Sequence, residues 1–187
     1  MKGQRTGMDF SAHELIITKQ DGLLIHWLKI PDRVCQNIKF INTNDIMVVT
    51  GDYNSWLFCR EFHPSAKGSV SDGYWCEKLT LDSSQGPMDY DPAETKKELE
   101  ERLNHPEEPL DDDTKEYYEQ CIERVEEELD YTHYAYRNMP GWMDSENVVH
   151  CKNIKPQLMV VFDAFEEICR RIKEMAEAVP QKEGAAR

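Results

Sequence analysis

Leu15-Ile16-Ile17-Thr18-Lys19-Gln20-Asp21-Gly22-Leu23-Leu24-Ile25-His26-Trp27-Leu28 reads as two apolar, β-compatible runs joined by a tight turn. Asp21-Gly22 supplies the positive φ that a short hairpin needs, because glycine has no Cβ and aspartate tolerates the left-handed region. Three further runs follow at residues 38–41, 46–50 and 56–62, with the linkers Asn42-Thr43-Asn44-Asp45 and Gly51-Asp52-Tyr53-Asn54-Ser55 between them. Those linkers carry turn chemistry. In the last run, alternation puts Trp56, Phe58, Arg60 and Phe62 on one face. A five-stranded antiparallel meander from about residue 13 to 62 is the expected reading.

A sheet with one apolar face needs a cover, and the end of the chain offers one. After Lys155-Pro156, the residues Leu158, Phe162, Phe165, Cys169, Ile172, Ala176 and Val179 alternate steps of four and three, and Val161, Ile168 and Met175 widen the stripe. Such a seam suits a coiled coil, but phenylalanine and cysteine on it fit better a helix laid on a sheet. A helix over 156–179 packed on the sheet is therefore expected, with oligomerisation through it as a further option.

Between sheet and terminal helix, residues 63–73 read as loop and 74–79 as a short helical turn. Asp91-Pro92-Ala93-Glu94 has aspartate at the cap, proline at the first helical position and glutamate at the third, so a helix starts there and ends near Leu103. A second acidic helix is expected after Asp111-Asp112-Asp113, whose charges suit the positive end of its dipole. Tyr117, Tyr118, Cys121, Ile122, Val125 and Leu129 form its apolar stripe, and Glu116, Glu119, Glu123, Glu126, Glu127 and Asp130 its outer face. If the helix is continuous, those six carboxylates span about 21 Å at ~1.5 Å rise per residue. The resulting spacing of ~3.5 Å is near that of phosphates along one DNA strand, which makes the face a DNA-mimic candidate. The fold class expected is α+β, a single domain over 1–187 with a sheet region (13–79), an acidic helical region (82–130) and the C-terminal helix (156–179).

The 187 residues hold 36 Asp+Glu against 22 Lys+Arg, a net charge of −14. Residues 82–130 hold 19 acidic and 5 basic side chains, so the whole imbalance lies there. This argues against direct binding to nucleic acid or an anionic membrane, both driven by Lys and Arg, and favours a partner protein with a basic surface. No apolar run long enough to span a bilayer or serve as an export signal is visible, and six cysteines lack paired spacing. They read as reduced thiols, and a cytoplasmic location is expected.

No metal ligation is expected, because the six histidines and six cysteines show no H-x-x-x-H, C-x-x-C or H-E-x-x-H pattern. Nucleotide-cradling and serine-hydrolase motifs are missing too, so no cofactor and no catalytic residue is assigned. One polar set remains in and beside the sheet: His26, Asp52, Arg60 and Glu77, with Glu61 and Asp72 near them in sequence. Carboxylates beside an arginine and a histidine do acid–base work when a cleft desolvates them. They equally serve as turn caps and cross-strand pairs.

Asp21-Gly22-Leu23 with His26 and Pro31, then Thr50-Gly51-Asp52-Tyr53 with Trp56, Phe58 and Arg60, then Tyr74-Trp75 with Glu77-Lys78-Leu79, resemble a group of proteins encoded by bacteriophages, prophages and plasmids. The resemblance covers residues 21–79. Leu28-Lys29-Ile30 and residues 32–37 depart from the Arg- and Phe-rich segments of that group, and Cys59 takes a place often held by serine. The group has no settled activity, so the resemblance implies an accessory role in a mobile element and a bacterial host cytoplasm. It carries His26, Asp52, Arg60 and Glu77 forward as positions to test. Two functional expectations result. The first is a non-enzymatic accessory protein that binds a host protein, a nucleic-acid-handling or defence factor, through the acidic surface. The alternative is a small enzyme or ligand-binding domain with a polar pocket on the sheet.

Overall fold

Strands β1 (Glu14–Gln20) and β2 (Leu23–Lys29) pair antiparallel around Asp21 and Gly22, whose φ values are 50° and 82°. This is a computed structural model, which describes residues 6–61, 63–64, 71–82, 86–106 and 109–178. β3 (Ile38–Thr43), β4 (Ile46–Gly51) and β5 (Trp56–Phe58) continue the meander, each antiparallel to its predecessor. β5 stops at Phe58, shorter than the run 56–62, and Phe62 lies outside the described residues. After α1 (Asp72–Lys78) the chain returns as β6 (Leu79–Asp82), antiparallel to β5, so the sheet has six strands in sequence order. The meander expected from the sequence is present, with this sixth strand added.

Contacts divide the chain into two compact units. The first combines residues 1–87 with 154–187. Its sheet turns Leu28, Ile38, Phe40, Met47, Val49, Trp56 and Phe58 to one buried face, the alternation that a half-buried antiparallel sheet requires. Helix α5 (Pro156–Ala178) buries Leu158, Val161, Phe162, Phe165 and Ile168, and it lies on the sheet as the periodicity predicts. Trp75 of α1 joins the two layers: its ring lies 4.9 Å from Phe58, 5.7 Å from Phe162 and 4.8 Å from Phe165. Phe165 also meets Phe40 at 5.9 Å. Farther along α5, Arg171 donates to the carbonyls of His13 and Phe10, both at 2.6 Å, which ties the helix to the segment leading into β1. Val179 of the predicted seam lies outside the described residues.

The second unit covers residues 88–153. It contains β7 (Met88–Tyr90), α2 (Pro92–Asn104), α3 (Asp112–Arg124), α4 (Glu128–Arg137) and a short 3₁₀ turn at Ser145–Asn147; β7 pairs with β8 (Lys152–Ile154). Both predicted caps are made, Asp91 accepting from the Glu94 N–H at 3.0 Å and Asp111 from the Thr114 N–H at 2.7 Å. The core is rich in tyrosine, with Tyr117, Tyr118 and Tyr131 packed around Leu99, Cys121 and Val125. Buried phenols need partners, and here they take backbone carbonyls: Tyr117 bonds to Ala135 and Tyr131 to Val149. Among the described residues no helix is long and apolar enough to cross a membrane.

Candidate functional site

The four polar positions on and beside the sheet have different surroundings. Asp52 is exposed and works as a clasp: its carboxylate accepts from the Asn37 N–H at 2.8 Å and the Asn37 side-chain amide at 2.7 Å, while its own N–H donates to the Asn37 carbonyl at 3.1 Å. That arrangement joins the end of β4 to the start of β3. Arg60 is exposed at the end of β5, donates to the Tyr74 hydroxyl and lies 5.4 Å from the centre of that ring. Glu77 is exposed on α1 and pairs with Lys78 at 2.5 Å. The Arg60 and Glu77 contacts hold the ends of β5 and α1, and among the described residues the hydrogen-bond and ion-pair partners of Asp52, Arg60 and Glu77 do not include one another.

His26 is the member with an unusual environment. It sits in β2 opposite Ile17 and Phe40, only 3% exposed, and its Nδ1 finds no hydrogen-bond partner among the described residues. Burial, assisted by the nearby positive charge that His63 can carry, lowers its pKa to about 4. An unfolded histidine titrates near ~6.5, so between the two values the unfolded chain binds more protons. Stability from this residue is complete above the unfolded value and is lost as the pH falls towards 4, by about 3 kcal/mol in all. His150 is shifted in the same direction, chiefly by burial, so the informative measurement is the comparison of variants. Urea melts of His26→Gln at pH 7 and pH 4.5 should show a clearly smaller acid loss than the parent chain; equal losses would remove His26 as the cause.

The acidic face differs from its expected form. Glu116, Glu119, Glu123, Glu126, Glu127 and Asp130 are all exposed, but they lie on α3, α4 and the turn between them. α3 ends at Arg124, and just past that end the Val125 carbonyl accepts from the Tyr90 hydroxyl at 3.0 Å. Past this break Leu129 turns outward, 84% exposed, instead of continuing the apolar stripe. An uninterrupted 21 Å ladder on one helix is therefore absent from the described residues, although the charge itself is concentrated: residues 88–153 hold 20 acidic and 7 basic side chains, net −13.

Within this unit the ends of α2 and α3 enclose a cleft of about 830 Å³ that the sequence did not suggest. Leu110, Pro109 and Tyr118 supply apolar wall, and Glu98, Glu101, Arg102 and Asp111 supply charge. Arg102 donates to Glu98 at 3.0 Å and to the Asn147 carbonyl at 3.0 Å. Trp142 stands at this cleft 62% exposed, its indole N–H held by the Thr114 hydroxyl at 3.2 Å. Asp111 remains ionised well into acid, because the Thr114 side chain and N–H bond to its carboxylate. The Pro140-Gly141 pair is the signal a reading of the sequence could have used, since it marks a turn, and Trp142 lies within that turn.

The cysteine thiols differ in their surroundings. Burial pushes the Cys121 thiol up to about 11, and it raises the Cys76 and Cys151 thiols also, the opposite of what an activated thiolate needs. Cys59 is exposed and its sulfur accepts from the Thr80 hydroxyl at 2.7 Å. Among the described residues no three His, Cys, Asp or Glu side chains gather as metal ligands do. The fold and site define an α+β protein with a nearly neutral sheet-and-helix unit and an acidic helical unit. No known protein family, curated protein or solved structure matches the chain.

Proposed function

We propose that the chain is a non-enzymatic accessory protein of a mobile genetic element, acting in the cytoplasm of a bacterial host by binding a host protein through its acidic unit. The observation that carries this reading is the confinement of net −13 to residues 88–153, with six carboxylates exposed on α3, α4 and their turn. Charge of one sign gathered on one region repels nucleic acid and steers a basic protein surface towards it. A nucleic-acid-handling or defence factor offers such a surface, and the resemblance of residues 21–79 to phage and plasmid proteins supports that setting. The polar-pocket alternative gains no support from the separate partners of Asp52, Arg60 and Glu77.

The test is co-purification from host lysate with the parent chain and with a variant carrying Glu119→Gln, Glu123→Gln and Glu126→Gln. A basic protein retained at about 50 mM salt should be released at about 500 mM, where screening acts within ~4 Å. The triple variant should retain at least several-fold less of it, since its changes lie on exposed positions with little bearing on the core. Retention that ignores both salt and the three substitutions would overturn the proposal.

A further inference from the structure

We infer that the cleft in residues 88–153 seats an arginine side chain of the basic partner, its guanidinium stacked on Trp142 and met by the carboxylates of Glu101 and Asp111. This inference rests on the basic-partner reading and names the chemistry of its contact. Three observations converge on it. Trp142 presents most of its ring to solvent while its N–H is anchored on Thr114, so the aromatic face is ordered before anything binds. A tryptophan face attracts cations through the ring quadrupole, more strongly once water is excluded.

The second observation is the charge left over inside the cleft. Arg102 is neutralised by Glu98 and further occupied by Asn147. Glu101 makes no ion pair among the described residues, and Asp111 uses Oδ1 for its cap bond to Thr114. Among the described residues that line it, the cleft therefore keeps two carboxylates against one histidine, His105. Third, Leu110 and Pro109 give an apolar wall along which the methylenes of a long cationic side chain can lie. A guanidinium suits these features better than an ammonium, because it is planar, weakly hydrated, stacks on aromatic faces and forks onto carboxylates. The volume, about 830 Å³, is in the range of pockets that enclose a small ligand, so neighbouring atoms of the partner fit as well.

The full chain is titrated by calorimetry with tetra-arginine and tetra-lysine peptides at low salt. The arginine peptide should bind several-fold more tightly. Trp142→Ala and Glu101→Gln should each weaken it about five- to tenfold, the size of a partly desolvated cation–π or charge-assisted contact. Trp142→Phe, which keeps an aromatic face, should recover most of the loss; with helical circular dichroism unchanged, failure of that rescue would overturn the stacking. If the arginine peptide binds the two cleft variants as it binds the parent, yet is weakened by the Glu119, Glu123 and Glu126 substitutions, the cleft assignment falls while the basic-partner reading stands. If neither peptide binds the parent chain, the cleft assignment falls, and the salt-dependent co-purification from lysate decides the basic-partner reading on its own.

Discussion

Trp75→Ala should lower the stability of the sheet-and-helix unit by about 3–5 kcal/mol, the range for removing a large aromatic from a packed core. The residue is 1% exposed, and its ring touches Phe58 on the sheet and both Phe162 and Phe165 on α5. Alanine would leave a void lined by three other rings, which have no common partner to close on. Because a domain's whole stability is commonly ~5–15 kcal/mol, a loss of this size is large enough to populate unfolded chains. Guanidinium melts read the effect, and a loss under about 1 kcal/mol would show that the layers are not joined at this ring.

Gly51→Ala should be the other severe change, and for a backbone reason. Gly51 has φ +138°, and a Cβ added there would lie 2.1 Å from the Asn37 carbonyl oxygen and 2.9 Å from its carbon. Those are backbone atoms, so relief requires moving the strand end apart and losing the Asp52 clasp, with three hydrogen bonds to Asn37. Strain and lost bonds together imply at least ~3 kcal/mol. Gly22→Ala is the natural control: φ is also positive, +82°, but nothing lies within 4 Å of the added carbon, so only ~1 kcal/mol is expected. Thermal melts that place the two variants together would refute the close-approach argument.

The same pair of glycines illustrates how far the sequence could be read. Gly22 announces its turn because the requirement is local, an Asp-Gly between two apolar runs. Gly51 and Asp52 were visible as turn chemistry, but their partner Asn37 comes from the far side of β3 and has no fixed spacing to them. α2 and α5 were legible for similar reasons, as the Asp91 cap and the four-three seam are written within their own segments. β6 was not, because Leu79-Thr80-Leu81-Asp82 is too short for alternation to separate it from the end of α1. The end of α3 was hidden by helix-favouring glutamates on both sides of Val125. The carbonyl just past that end is held by a phenol from Tyr90, thirty-five positions earlier, a contact with no local signature. The candidate cleft shares this difficulty, since Glu101, Asp111 and Trp142 meet only through the tertiary packing of α2, α3 and the loop after α4.

Where residues 88–153 leave and rejoin the sheet-and-helix unit, the Lys155 N–H donates to the Pro87 carbonyl at 2.9 Å. Everything in residues 88–153 hangs between those two positions. For α5 to reach the sheet, the two ends must come together across this long stretch, and an unstructured loop of that length would oppose it by roughly 4 kcal/mol of chain entropy. If residues 88–153 fold first, the insert holds its own ends near one another and removes most of that opposition. In that order of folding the acidic unit is a shortcut that turns a remote encounter between the last helix and the first strands into a nearly local one. The segment that carries the charge is then also the one that sets how quickly the neutral core can find its cover.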